Sequence, residues 1–92
     1  MRPINTTQGL LDHIQELKDM GIATIQADNT FHEEDIKMTG CTYDIENVPE
    51  PIFSNVAIHL RCSIVNRGNF KQYFVVSHLE NEMTVTITVK RI

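Results

Sequence analysis

One segment constrains the fold more than any other: residues 7–20, TQGLLDHIQELKDM. At about 100° per residue, Leu10, Ile14 and Leu17 share one helical face, with Leu11 and Met20 at its margins. Asp12, Glu16 and Asp19 fall within about 60° of one another on the opposite face. The apolar stripe needs a partner, and the rest of the chain reads mostly as strands, so the helix must lie on a sheet. Three carboxylates are then left in water along the outer face. Asn5, Thr6 and Thr7 can each cap this helix, and Asn5 with Gln8 has capping-box spacing. Gly21 is placed to end it in the left-handed conformation, with Ile22 returning to touch Leu17.

Beyond that stop, residues 22–27 (IATIQA) are short and β-branched and read as a strand. Asp28 and Asn29 form a turn pair. Residues 30–39 are ambiguous, with polar and apolar positions alternating over Asp35-Ile36-Lys37-Met38. A further strand is expected from Cys41 to Ile45. Pro49 and Pro51 mark a loop that excludes a helix or an inner strand. Residues 55–65, 70–79 and 83–91 each alternate, with turns at Asn66-Arg67-Gly68-Asn69 and Glu80-Asn81-Glu82. In the last segment Met83, Val85, Ile87 and Val89 point inward and Thr84, Thr86, Thr88 and Lys90 outward. The expected architecture is one α+β domain over residues 1–92, with a single amphipathic helix on a mostly antiparallel sheet of about five strands.

Ninety-two residues have no room for two cores. One helix on one sheet buries a modest core, which makes a homodimer the expected state. No apolar run approaches the roughly 20 residues needed to span a bilayer. The start has no apolar region of a signal peptide, so a cytoplasmic protein is expected, with no membrane partner. Cys41 and Cys62 stand apart in strand-like surroundings and read as reduced, buried thiols.

Enzymatic chemistry lacks its parts. None of His13, His32, His59 and His78 lies three or four positions from another histidine. Zinc-binding, calcium-loop and phosphate-loop motifs are absent, so no metal and no cofactor is expected. On an open helix face nothing would shift the pKa values of Asp12 and Glu16 for acid–base work.

Charge is more informative. The net charge is only −4, but residues 1–50 carry ten acids against three bases, and residues 51–92 carry two acids against five bases. Such asymmetry points to a charged partner. Arg61, Arg67, Lys71, Lys90 and Arg91 are the candidate nucleic-acid contacts, and Lys71 shares a strand face with the aromatic Tyr73. A pI near 5.4 opposes direct nucleic-acid binding, which draws most of its non-specific affinity from phosphate neutralisation. The inverse reading is that the acids imitate phosphates. Helical neighbours three and four apart sit roughly 5–6 Å from one another, close to the separation of successive phosphates on one strand. Asp12, Glu16 and Asp19 would form a short row. Glu33, Glu34 and Asp35 are the next candidates to extend it, then Asp44, Glu46 and Glu50.

The run LLDHIQELKDMGIATIQADNTFHEEDIKM resembles part of the double-wing DNA-binding domain of the T-even phage transcription factor MotA. The shared pattern is an amphipathic helix, a Met-Gly stop, a short β-branched strand, an Asn turn and a strand containing Ile-Lys. In length, acidity and phage-like character the chain also resembles the Arn-type anti-restriction DNA mimics of T-even phages. That resemblance implies a homodimeric, non-enzymatic inhibitor in the cytoplasm of the host cell. The partners it implies are a host DNA-binding protein or restriction endonuclease, namely the histone-like nucleoid-structuring protein and McrBC. It carries over to the acidic residues as a group rather than one by one. The alternatives are a small double-wing module binding DNA or RNA polymerase through Arg61, Arg67 and Lys71, and a plain protein-interaction domain pairing through an exposed strand edge.

Overall fold

The computed structural model describes residues 5–31, 40–68 and 71–92. Helix α1 (Thr7–Phe31) leads into β1 (Gly40–Val48), then α2 (Glu50–His59), β2 (Val65–Arg67), β3 (Lys71–Glu80) and β4 (Met83–Arg91). The four strands form one mixed sheet in the order β1-β4-β3-β2. Strand β4 pairs antiparallel with β3 and parallel with β1, and β2 pairs antiparallel with β3. The class is α+β, and the described residues hold two helices where one was expected and four strands where about five were expected. Both helices pack over the same face of the sheet, around Leu10, Ile14, Ile25, Phe53, Phe74 and Ile87.

The expected stop at Gly21 and strand over 22–27 are both corrected: α1 runs through them. Gly21 is buried, and no glycine among the described residues has a positive φ. A Cβ at Gly21 would lie 2.6 Å from Val85 Cγ2 and 3.3 Å from Tyr43 Cε2. This glycine marks the place where the helix backbone presses onto the sheet, not a helix end. Ile22 and Ile25 are buried, so they continue the stripe of Leu10, Ile14 and Leu17. Weak helix propensity costs roughly 0.5 kcal/mol at each β-branched position. Burying one isoleucine contributes about 1.5–3 kcal/mol, so packing overrides the local preference. At the start, Thr6 is the cap: its Oγ1 accepts from the Gly9 backbone N–H at 2.9 Å. Residues 32–39 lie outside the described residues, and with them the expected strand around Ile36 and Lys37.

The prolines are also reinterpreted. Pro49 is the N-cap of α2 and Pro51 lies in its first turn, where a backbone N–H has no helical acceptor to lose. The expected strand over 55–65 is therefore helical through His59. Phe53, Val56 and Ala57 are buried at helical spacing, and the Phe53 ring packs against Phe74 with centroids 5.1 Å apart. Just past the C-cap Leu60 stands Arg61, a non-glycine residue with φ 55°. Its N–H donates to Ile58 O, and the Cys62 N–H donates to Ala57 O at 2.8 Å, which is the Schellman pattern.

The last two strands agree with their alternation. Phe74 and Val76 of β3 and Val85, Ile87 and Val89 of β4 are buried beneath the helices. Their turn is the two-residue pair Asn81-Glu82, with φ of 52° and 66°, closing the Glu80–Met83 pair. Positive φ at both positions is the hairpin geometry that suits strand twist. Strand β2 pairs with β3 in the register Val65↔Tyr73 and Arg67↔Lys71, so Asn66 and Arg67 are strand residues and not part of the expected turn. Cys41 and Cys62 are both free and half-buried.

Candidate functional site

Two charged surfaces lie on opposite sides of the sheet. The first is the outer face of α1. Asp12, Glu16 and Asp19 are all exposed there, opposite the buried stripe. The Gln8 amide donates to Asp12 Oδ1 at 2.8 Å, and the Gln15 amide donates to Asp19 Oδ1 at 3.1 Å. Both bonds span one turn, so each amide fixes a carboxylate without cancelling its charge. The Gln-x-x-x-Asp spacing occurs twice in the sequence and was a readable signal for this support. His13 Nδ1 stands 3.8 Å from Glu16 Oε2. Lys18 is the single base of α1, and it acts electrostatically on Cys62. Asp12 to Asp19 spans about 10 Å of helix axis, close to three successive 3.4 Å rises along one strand.

The second surface is the uncovered face of the sheet. Strand pairing sets Asp44 beside Thr88, Tyr73 beside Lys90, and Arg67 beside Lys71. Lys90 Nζ is 3.7 Å from Asp44 Oδ2 and 3.5 Å from Glu46 Oε1. The Arg67 guanidinium carbon lies 5.9 Å from the centroid of the Tyr73 ring. An open groove of about 710 Å³ runs across this end of the sheet and is lined by both sets of residues. Acids therefore stand on the β1 side and bases on the β2–β3 side.

The remaining sequence candidates are dispersed. Asp44 and Glu46 do not continue the α1 row, because their positions on β1 point away from the helices. Glu50 sits in the first turn of α2, a favourable place for a carboxylate, and accepts from Ser54 Oγ at 3.1 Å. Glu33, Glu34 and Asp35 lie outside the described residues. Arg61 belongs to the end of α2 and does not line the groove that holds Arg67 and Lys71. What sequence reasoning missed is the clustering of Lys90 with Asp44 and Glu46. It depends on parallel pairing of β1 with β4, and strands joined through an intervening helix and hairpin carry no local mark of their register.

Asp19 also borders an open cleft between α1 and β3, with His78 and Glu80 across from it. No group of three or more metal-ligating side chains gathers among the described residues. Burial pushes the Cys62 thiol up, and nearby Lys18 opposes the shift without cancelling it. The Tyr43 hydroxyl is also held above its ordinary value, first by its hydrogen bond with the Cys41 thiol and then by burial. Among the described residues, no helix is long and apolar enough to cross a membrane. Compared with protein-family models, with curated proteins and with solved structures, the chain finds no match in any of the three.

Proposed function

We propose that this protein is a non-enzymatic inhibitor that presents the outer face of α1 as a phosphate-like row to a basic host DNA-binding protein or restriction enzyme. One observation supports it above the others: Asp12, Glu16 and Asp19 are exposed on one face of a long helix, the two aspartates held by glutamine amides. Displacing condensed counterions favours a polyanion in a basic groove, and a short carboxylate row competes through the same source of free energy. Glu33, Glu34 and Asp35 follow α1 in the chain and are the proposed extension. The histone-like nucleoid-structuring protein and McrBC are the first targets to try. In a gel-shift experiment the protein alone leaves a DNA duplex unshifted at low salt, and it releases the duplex from a basic target. A direct shift by this protein, without release, would overturn the proposal.

A second reading is favoured by the groove. Arg67, Lys71 and Tyr73 share one sheet face, a combination suited to phosphate and base contact in a double-wing type of DNA-binding module. It predicts the direct shift that mimicry excludes, weakening as salt rises.

A further inference from the structure

Strand β3 is longer than the strand that covers its outer edge. Its inner edge pairs with β4 from Tyr73 to Glu80, whereas β2 reaches only from Lys71 to Tyr73. Among the described residues, no strand pairs with the outer edge beyond Tyr73. The register tells which backbone groups are left over. The two-residue turn at Asn81-Glu82 closes on a hydrogen-bonded Glu80–Met83 pair, and such pairs alternate along an antiparallel ladder. Phe74, Val76, His78 and Glu80 therefore bond to β4. The N–H and C=O groups of Val75, Ser77 and Leu79 point away from it, along about 17 Å of edge. Such an edge is a template for another strand. The opposite edge strand, β1, is less suited, because its register shifts between Ile45 and Val48 and a bulge blunts an edge.

We propose that the outer edge of β3 takes up an extended peptide segment of a partner protein, added as a further strand, in which basic and apolar residues alternate. Residues directly opposite each other across a ladder share one face of the sheet. Val75 and Leu79 project from the uncovered face, 40% and 69% exposed, so the peptide residues beside them are apolar. The peptide residue beside His78 projects to the other face and enters the open cleft of about 360 Å³ between β3 and α1. Ile22 and Ala23 give that cleft an apolar wall, and Asp19 and Glu80 give it two carboxylates. No lysine or arginine lines it among the described residues. An arginine or lysine fits on both counts, its stem along Ile22 and Ala23 and its head at the carboxylates. Backbone pairing supplies affinity that is blind to sequence, and the alternation selects the partner. A nucleic-acid strand would instead bring its phosphates against Asp19 and Glu80. The edge shares Asp19 with the acidic row of α1, but it depends on neither reading of the duplex contacts.

Fluorescence anisotropy with the full-length protein tests it, using a labelled synthetic peptide that alternates valine and arginine. One control peptide has the same composition with the valines and arginines in separate blocks, and another has glutamate in place of arginine. The alternating peptide is expected to bind at least about tenfold more tightly than either control. Ser77→Pro removes one outward N–H without touching the β4 ladder, and proline is tolerated at an edge position of that kind. Circular dichroism reports whether the variants are folded. Folded Ser77→Pro and Glu80→Lys are each expected to bind at least about tenfold more weakly. Any competition that wild type shows for a DNA duplex is retained in Ser77→Pro, which separates this edge from the α1 row. Hydrogen exchange followed by NMR needs no variant: bound peptide is expected to slow exchange at the amides of Val75, Ser77 and Leu79. Equal binding of the block peptide overturns the proposal, as does unchanged exchange at all three amides. So does a folded Ser77→Pro variant that binds like wild type, or a wild type that leaves the peptide free.

Discussion

A methyl group on Gly21 would meet Val85 Cγ2 at 2.6 Å, so this one hydrogen atom sets how closely α1 approaches β4. Gly21→Ala is expected to destabilise the fold by about 2 kcal/mol through overpacking, read as a lower midpoint in urea. The opposite is expected at Glu82, whose φ of 66° is a conformation glycine adopts without strain. Glu82→Gly should stabilise by roughly 1 kcal/mol, measured by thermal unfolding. Cys62 gives a test by pH. Its thiol is shifted up by burial, so less thiolate is present at any given pH than in an unfolded peptide. Alkylation by iodoacetamide should be slow near neutrality and rise with a midpoint above the ordinary thiol range. The sign for stability follows: the unfolded chain loses the proton first as pH rises, so this contribution is present at neutral pH and declines on the alkaline side.

At the scale of elements, α1 shows what local pattern can and cannot reveal. Its apolar stripe and acidic face were legible from Leu10, Ile14 and Leu17 against Asp12, Glu16 and Asp19. Its length was not, because Ile22-Ala23-Thr24-Ile25 satisfies strand propensity locally and helical packing globally. The same ambiguity hid α2. Phe53, Val56, Ala57 and Leu60 fit helical spacing, while Val56, Ile58, Leu60 and Cys62 fit alternation, and the prolines that argued against a helix begin one. The β3–β4 hairpin was legible because alternation, turn and burial all agreed. Helix α1 also carries its own prediction. Replacing Asp12, Glu16 and Asp19 by lysine should abolish competition for a basic target while shifting stability by no more than about 0.5 kcal/mol per site, since all three are exposed.

At the scale of the molecule, the charge asymmetry of the sequence becomes a division between two faces. The α1 face is acidic, and the uncovered sheet face carries acids on the β1 side and bases on the side of β2 and β3. The chain itself is only weakly acidic at −4, so any imitation of DNA depends on where the charge sits rather than on how much there is. That arrangement was half visible beforehand: the helix row follows from spacing alone, whereas Asp44 and Glu46 acquire Lys90 only through a parallel strand pair. The most direct measurement is fluorescence anisotropy of a labelled duplex held by the histone-like nucleoid protein, titrated with this protein and with its Asp12, Glu16 and Asp19 triple lysine variant. Wild type is expected to free the duplex, less effectively as salt rises, and the folded triple variant is expected to leave it bound. Equal release by both proteins would contradict the proposed mimicry.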